Sequence, residues 1–405
     1  MQRNLSARQG AELLLALPVR LCAEEVPLLG AWGRVLATDV TARINVPPFP
    51  RSPYDGYALR AADTLGASEE NPVTLALTEE LPAGTAPRLP LEPGQAAKIL
   101  TGAPIPPGAD CVVKYEDTRF TDSAVTLFSP LCPGNIVPAG EDVAAGSLLA
   151  QAGAVLDPGL TGVLAGQGLD RATVFRRPSA AVVSTGSELA PQGSPLAPGQ
   201  IYGTNLYTIG GLLAGMGCTV RDGGTLADDP DALARTLAEL TGRYDLVVTT
   251  GGASVGDYDY TQRAIEAAGG EVLFHKLAFK PGGAMLAGVL NGTVVLGLSG
   301  SPGAAAVGLL AVARPYVLKL CGRPGALPAP AILPLKTPLK KASPQTRYLR
   351  GRLVLEEGRA LFEENPGRGN GSAFSLIHCE LLAEIPALSP PLAAGTPVTV
   401  YRVTP

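Results

Sequence analysis

The spacing of apolar residues changes along the chain, and the first region has the period of a helix. Ser6 and Gln9 fit a capping box, and the apolar residues that follow recur every three to four positions as far as Pro18. A second apolar group over residues 28–36 has similar spacing. The pattern therefore predicts two short helices before Thr38.

Residues 45–144 lose the helical period and instead show short β-type segments between proline and glycine turns. The strand candidates are Val73–Leu77, Ala96–Leu100, Cys111–Tyr115 and Ala124–Phe128. Helical character returns between Ala144 and Gly168. We therefore expect an all-β insert within a small helical or mixed N-terminal domain made of residues 1–44 and 145–175.

Residues 176–323 alternate between apolar β-type runs and helical stretches. The runs Ala180–Ser184, Leu246–Thr250 and Val294–Leu298 are each followed by a glycine-containing turn and a helix, at about 204–216, 258–268 and 302–320, and a further strand and helix lie between the first two. This repetition predicts a multidomain α/β protein with a doubly wound, mostly parallel sheet and right-handed crossovers. The proline-rich, two-residue alternation over 324–405 predicts a small C-terminal β domain.

Composition narrows the class of partner. The 405 residues contain 32 basic and 36 acidic side chains, with a net charge of -4 and no long Lys/Arg run, which argues against binding nucleic acid or an anionic membrane. The apolar run Ala304–Ala313 is far shorter than the roughly 20 residues of a membrane span. Six scattered cysteines and two histidines do not suggest a zinc site. We expect reduced cysteines, a cytoplasmic location and a small-molecule partner.

Three loops follow the predicted parallel strands, and such loops meet at one edge of the sheet. They are Ser184–Glu188, Thr250–Gly256 and Leu298–Pro302. Glycines in the loops let the backbone approach an anion, and Ser301 as N-cap with Pro302 at the first helical position would point free N–H groups at it. None of the loops carries the G-x-G-x-x-G fingerprint of dinucleotide-binding enzymes.

The segment Asp245–Tyr260 adds negative charge at this edge, because Asp257 and Asp259 follow its glycine turn. A site that combines an anion-binding backbone with carboxylates indicates a phosphorylated substrate bound together with a divalent metal.

Six short segments, in order over nearly the whole chain, carry a more specific signal. They are Pro53–Ala58 (PYDGYA), Leu100–Pro106 (LTGAPIP), Gly140–Gly146 (GEDVAAG), Val183–Leu189 (VSTGSEL), Thr250–Tyr260 and Lys276–Gly282 (KLAFKPG). In this combination they resemble the molybdopterin molybdenumtransferases, the family of MoeA and the gephyrin E domain.

The resemblance implies an architecture and a reaction. It implies a homodimer in which a MogA-like domain over 176–323 binds adenylylated molybdopterin, beside the β-rich insert and a C-terminal β-barrel. It implies that Mg²⁺ or a similar divalent ion assists the insertion of molybdate and the release of AMP. It also implies a transient contact with the molybdopterin adenylyltransferase.

The resemblance also implies site residues. Candidate catalytic groups are Asp55, Asp142, Glu188, Asp228, Asp259, Lys276 and Lys280, of which Asp55, Glu188 and Asp228 are candidate metal ligands. Candidate substrate-binding residues are Thr101, Thr185, Gly186, Gly251, Gly252, Ser254, Gly256, Gly300, Ser301 and Arg350. Asp142 is expected to act across the dimer interface. The two lysines are expected on one face of a strand-like segment.

Several of these residues also fit a purely structural role. Asp55 could belong to a hairpin turn with Gly56, and Thr101 could cap its own turn. Glu188 and Asp259 could each favour a helix N-terminus, and the two lysines could be solvated surface groups. In the Asp-Asp-Pro sequence that starts at Asp228, the second aspartate has its own role as an N-cap, which leaves Asp228 available for the site.

One loop departs from the family pattern. Where the family usually has Pro-Gly-Asn-Pro-Val-Ser, this chain has Ser-Gly-Ser-Pro-Gly-Ala over residues 299–304, so Ala304 lacks a hydroxyl that the family uses for molybdate. Losing one donor to a charged ligand costs about 1.5–3 kcal/mol. The alternative to an active transferase is therefore a divergent paralogue that binds the pterin as a carrier or scaffold.

Overall fold

The computed structural model describes residues 5–252, 260–323, 329–367 and 371–403. The first predicted helix is confirmed as Ala7–Ala16, with both halves of the capping box formed: Ser6 N donates to Gln9 Oε1 at 2.9 Å and Gln9 N donates to Ser6 Oγ at 3.2 Å. The helix packs against the α/β core. At its C-terminal end, Lys319 Nζ donates hydrogen bonds to the carbonyls of Leu15 and Leu17, each at 2.8 Å.

The second predicted helix is wrong. Residues 28–30 form a single 3₁₀ turn, and Gly33 then takes a left-handed conformation at φ 72°. Beyond it the chain is extended, because Leu36 N donates to Ala154 O at 2.9 Å instead of to a helical neighbour. Pairing with a sequence-distant segment of the same chain therefore overrides the apolar spacing in this region.

The chain re-enters the N-terminal region after the insert, as predicted. Strand Ala23–Pro27 pairs antiparallel with Arg171–Phe175, and Val40–Thr41 pairs with Leu148–Ala150. The helix between them is Pro158–Gly166, with Asp157 as its N-cap. The precise limits of the domains remain a prediction.

The insert is a six-stranded sheet with apolar clusters on both faces. In spatial order its strands are Cys111–Lys114, Gly56–Leu59, Gln95–Ile99, Val73–Leu81, Ala124–Leu127 and Arg119–Phe120. The four predicted strands are confirmed, and the second in this order was not predicted. It begins at a glycine because a Cβ on Gly56 would lie 1.8 Å from Val113 O on the neighbouring strand.

A second six-stranded sheet forms the α/β domain. In spatial order its strands are Thr219–Leu226, Ser179–Thr185, Leu246–Thr250, Thr293–Leu298, Leu286–Leu290 and Glu271–His275. The first four strands pair in parallel, and the two remaining pairings, at one edge, are antiparallel because Leu286–Leu290 runs in the opposite direction, which confirms a mostly parallel sheet. The helices that cover it are Asn205–Met216, Pro230–Thr241, Tyr260–Ala267, Pro302–Gly308 and Arg314–Leu320.

The last two of these helices form one continuous stretch through a π-helical segment, Leu309–Ala313. Among the described residues, one helical stretch, Pro302–Leu320, has a length and composition that would suit a membrane span. However, 83% of its most apolar 18-residue segment is buried inside the protein. It packs in the main apolar core between the sheet and helix Ala7–Ala16. The core position of this stretch explains its apolar composition.

The C-terminal region is a curled β-sheet around its own apolar core. Its strands are Ala331–Pro334, Thr346–Glu356, Arg359–Glu364, Leu381–Ile385 and Pro397–Arg402. A bridge between Leu335 and Phe362 brings the two ends of the sheet together, as expected for a barrel. The short strand Phe279–Lys280 of the α/β domain adds to this sheet, in parallel with Thr346 and the residue after it.

Candidate functional site

A cavity of about 490 Å³ opens at the carboxyl ends of the parallel strands. Its walls come from all three loops that the sequence placed at this edge, together with residues 201–205 and Tyr260. Eight of the predicted site residues line it, namely Thr185, Gly186, Glu188, Asp228, Gly251, Gly252, Gly300 and Ser301. The convergence of these loops is therefore confirmed.

Two glycines in these loops are required by the geometry. Gly251 has φ 93°, and a Cβ there would lie 2.4 Å from Thr185 O. At Gly186, with φ 152°, a Cβ would lie 2.6 Å from Glu188 Oε2. At both positions the backbone itself borders the cavity, because a side chain there would collide with neighbouring atoms of the protein.

Two carboxylates provide the charge of the cavity. Among the described residues that line it, Glu188 and Asp228 are the charged ones, and none is basic. Asp229 accepts hydrogen bonds from the N–H groups of Asp231 and Ala232 at 2.9 and 3.2 Å, so it is the N-cap of helix Pro230–Thr241. The predicted N-cap role of Asp229 is confirmed, and Asp228 lines the cavity.

A second group of predicted residues surrounds the start of helix Pro302–Gly308. Ser301 is its N-cap, but the expectation that the first-turn N–H groups are free fails at Gly303, whose N–H donates to Gly371 O at 3.3 Å. Arg350 Nη1 donates to Gly303 O at 3.5 Å, and burial lowers the pKa of this guanidinium. The C-terminal region therefore covers part of this helix end.

The loop after Lys280 also reaches this helix end, since a Cβ on Gly282 would lie 2.5 Å from Ala304 O. Lys276 and Lys280 do not lie on one face of a continuous strand, so this prediction is wrong. Strand Glu271–His275 ends before Lys276, which has φ 65°, and Lys280 belongs to a separate strand. Both lysines are exposed, and neither lines the cavity.

Asp55 and Thr101 form a separate site on the insert. Asp55 Oδ1 accepts hydrogen bonds from Thr101 N and from Thr101 Oγ1, each at 2.7 Å. Both hydrogen bonds lower the pKa of this exposed carboxyl below its usual value, and the bond from the backbone N–H has the larger effect. Nearby, Lys114 Nζ lies 4.4 Å from the centre of the Tyr54 ring. Neither Asp55 nor Thr101 lines the cavity.

The remaining predicted residues are not brought to the cavity. Asp142 is exposed where the chain leaves the insert, with its N–H donating to Val46 O at 3.0 Å. The predictions for Ser254, Gly256 and Asp259 fall outside the described residues.

Several polar residues of the cavity were not predicted as site residues, and two of them, Asn205 and Thr250, are buried. Asn205 begins helix Asn205–Met216 and is 8% exposed, and Thr250 ends its strand and is 1% exposed. For Thr250 the signal was available, since it is the last residue of a strand whose following loop was identified. Asn205 follows the strand Ile201–Tyr202, which is too short to show an apolar period in the sequence.

A divalent ion in the cavity would need oxygen ligands from its carboxylates. The described parts of the chain contain no cluster of three or more His, Cys, Asp or Glu side chains suited to a metal. Mg²⁺, however, is commonly held by one or two carboxylates, with water and substrate phosphates as further ligands. Glu188 and Asp228 meet this requirement and Asp55 lies elsewhere. The residues thus fit an ion shared between the protein and a phosphorylated ligand.

Three family descriptions match consecutive parts of the chain. Residues 5–168 match the MoeA N-terminal region (domain I and II), residues 181–319 match a probable molybdopterin binding domain, and residues 333–403 match the MoeA C-terminal region (domain IV). The matches therefore extend over most of the sequence, from the first helix to the last strand.

Individual relatives agree with these matches. The molybdopterin molybdenumtransferase of Staphylococcus aureus (strain MSSA476) is 33% identical over 376 residues, which are 93% of this chain and 90% of the relative. That of Bacillus subtilis (strain 168) is 37% identical over 345 residues, 84% of this chain and 80% of the relative. The crystal structure of a molybdopterin biosynthesis MoeA protein from Pyrococcus horikosii has a TM-score of 0.86 and 32% identity, with 99% of this chain and 100% of that chain covered.

Proposed function

The chain belongs to the molybdopterin molybdenumtransferase family of molybdenum cofactor biosynthesis, and we propose that it inserts molybdate into adenylylated molybdopterin with release of AMP. The relatives are named as transferases, so the carrier or scaffold alternative is not favoured.

The charge of the cavity is the observation that carries this proposal. Its described lining has the close-approach backbone of an anion site, yet its charged side chains are the carboxylates Glu188 and Asp228. A phosphate placed beside two carboxylates is repelled unless a cation lies between them. A phosphorylated ligand that brings Mg²⁺ with it meets both requirements.

In this proposal Glu188 and Asp228 hold Mg²⁺ or a similar divalent ion. When bound, the ion neutralises phosphate charge that develops as the adenylate is cleaved. The protein's own contribution is orientation: Gly251 and Gly252 allow the backbone to approach the ligand, and Thr185 Oγ1, which donates to Thr250 O at 3.3 Å, is fixed at the cavity wall.

The oxyanion belongs at the neighbouring helix end. Lys280 immediately precedes the loop in which Gly282 approaches Ala304, and Arg350 approaches Gly303, so separate elements supply a cationic residue near one helix N-terminus. Molybdate is a tetrahedral dianion, for which positive charge and N–H donors are the suitable partners. Lys276 is proposed to add charge at the rim.

The insert supplies the remaining residues in a homodimer. Asp55, Thr101 and Asp142 are exposed and do not line the cavity of their own chain, so we assign them to the cavity of the partner copy. A cytoplasmic location and a transient contact with the molybdopterin adenylyltransferase, which would deliver the pterin adenylate, complete the proposal.

The test is AMP release from adenylylated molybdopterin in the presence of molybdate and Mg²⁺. We expect AMP release that depends on molybdate, and a lower rate for Lys280→Ala. Binding of the pterin adenylate without molybdate-dependent AMP release would contradict the transferase assignment and support a carrier.

A further inference from the structure

The amide of Asn205 has one half engaged by the protein and one half facing the cavity. The residue is 8% exposed and lines the cavity wall. Its Nδ2 donates to Gly300 O at 2.9 Å, which ties the start of helix Asn205–Met216 to the loop before helix Pro302–Gly308. Its Oδ1 is buried and has no hydrogen-bond donor among the described residues.

The orientation of this amide follows from chemistry. If the amide were turned over, Oδ1 would face Gly300 O, and two acceptors would oppose each other without a proton between them. Asn205 therefore keeps its nitrogen on Gly300 and its oxygen free. A buried acceptor without a donor is unfavourable, so a ligand that brings a donor to it gains affinity.

Thr250 provides a second group of this kind. It is 1% exposed, lines the same cavity, and its Oγ1 is buried without a partner among the described residues. A hydroxyl can donate or accept, whereas the oxygen of Asn205 can only accept. Together the two residues offer an obligatory acceptor and an adaptable hydroxyl on the wall of one cavity.

We infer that Asn205 is a specificity-determining residue whose Oδ1 accepts a hydrogen bond from the exocyclic amino group of a nitrogen heterocycle. The Thr250 hydroxyl donates to a ring nitrogen of the same heterocycle. This inference rests on the proposed function, because adenylylated molybdopterin contains two such aminated rings, a pterin and an adenine. They share the chemistry that Asn205 recognises.

The experiment compares ligands that differ by the amino group alone. One arm measures the Kd of AMP and of purine riboside 5′-monophosphate, and the other measures pterin and pteridin-4-one, all with Mg²⁺ and the full chain. For wild type we expect a preference of about tenfold or more for the aminated member of at least one pair. The pair that shows the preference identifies the ring bound at Asn205.

Three variants separate recognition from structure. Asn205→Ala should remove the preference, since the acceptor is gone. Asn205→Asp loses the bond to Gly300 O but keeps an acceptor oxygen, so it should retain the preference even if both affinities fall. Thr250→Val should weaken both members of a pair equally, because both contain the ring nitrogen. The ratio of two Kd values is insensitive to a common loss of folded protein.

A matched control is Asn365→Ala, which removes another buried amide that donates to the carbonyls of Ser375 and Ile377 at 3.0 and 2.9 Å, in the C-terminal region. It should leave the preference unchanged. The inference is overturned if wild type shows no preference in either arm, if Asn205→Ala keeps it, or if Asn205→Asp loses it.

These outcomes are independent of the transferase test. A wild-type protein that releases AMP with molybdate while Asn205→Ala keeps the wild-type preference would retain the proposed function and lose this inference. A preference that depends on Asn205 in a protein without molybdate-dependent AMP release would do the reverse.

Discussion

The cavity of the α/β domain and the Asp55 site of the insert both present carboxylates, but they are built in different ways. Elements far apart in sequence form the cavity, because parallel strands all end at one edge of their sheet. At Asp55 a single neighbour, Thr101, supplies both hydrogen bonds to the carboxylate. The first site follows from topology, and the second from one local contact.

This difference bears on what each site can do alone. The cavity combines recessed backbone, polar side chains and two carboxylates, which together can bind a ligand. Asp55 is an exposed group on a loop of the insert and does not line that cavity. An exposed group such as Asp55 can take part in catalysis only when another surface packs against it. This requirement supports the assignment of Asp55 to the cavity of the partner copy in a dimer.

The largest effect is expected from the carboxylates of the cavity. The double variant Glu188→Gln, Asp228→Asn keeps both side-chain shapes and removes both charges, so we expect the Mg²⁺-dependent rate to fall on the order of a hundredfold or more. Rates measured against Mg²⁺ concentration should also show a weaker requirement for the ion.

Asp229→Ser is the control for this variant. It removes a carboxylate at the next position, and serine still caps helix Pro230–Thr241. Its rate should stay near that of wild type. Equal losses in the control and in the double variant would mean that general charge, and not metal binding, governs the cavity.

The next effect concerns the backbone of the cavity. Gly251→Ala should lower the free energy of unfolding by about 1–3 kcal/mol, since it forces a side chain onto a positive φ and against the Thr185 carbonyl. Chemical denaturation of the purified variant measures this loss.

Gly162→Ala is the matched substitution outside the cavity. Gly162 lies within helix Pro158–Gly166, and a Cβ there would meet nothing within 4 Å. This variant should gain about 0.5–1 kcal/mol. If Gly251→Ala were as stable as Gly162→Ala, the close approach at Thr185 would not constrain the loop.

The apolar periodicity of the chain was enough to predict the loops that form the cavity, but not the shortest strands of the structure. Buried β-type runs such as Leu246–Thr250 are local features, and the rule that parallel strands end together does the rest. By contrast, the short strand Phe279–Lys280 joins the sheet of the C-terminal region, and two residues are too few to show a period. The same holds for Ile201–Tyr202, which leads to Asn205.

Two other predictions were wrong, one over residues 28–36 and one at Lys276. The apolar spacing over residues 28–36 resembles a helix, yet pairing with Ala154 and its neighbours decides the conformation. Lys276 was placed by even spacing, and its positive φ breaks that spacing. The first error comes from a partner distant in sequence, and the second comes from a local backbone conformation. The carboxylate of Asp55 was identified by resemblance, and its partner Thr101 was identified separately, without the bond between them.

Mixed dimers can test whether Asp55 and Asp228 from different chains form one active site. When Asp55→Asn and Asp228→Asn chains are co-expressed with different tags, a site made from two chains is intact once in every mixed dimer. With random pairing about a quarter of all sites are then active, so specific activity should recover to about a quarter of wild type. Each variant alone should stay far below this level.

The mixed-dimer experiment also has an outcome that opposes the assignment. If Asp55 and Asp228 serve the same chain's cavity, every chain in the mixture carries one defect and no activity returns. Purification through both tags isolates the mixed dimers, in which the AMP release assay should then give about half of the wild-type specific activity.

The smallest effect is expected in the pH dependence of the Asp55 site. Thr101→Val removes one of the two bonds that hold the pKa of Asp55 below its usual value, so that pKa should rise. Because a lowered pKa keeps the carboxylate charged as pH falls, the acid limb of the rate profile should move to higher pH in the variant. The profile of each protein is compared with its own rate near neutral pH, where the carboxylate is ionised in both. Titration of Asp55 by carbon NMR reads the shift directly, and Thr74→Val, which removes a hydroxyl paired with Thr126 Oγ1 at 3.0 Å in the same sheet, should leave it unmoved.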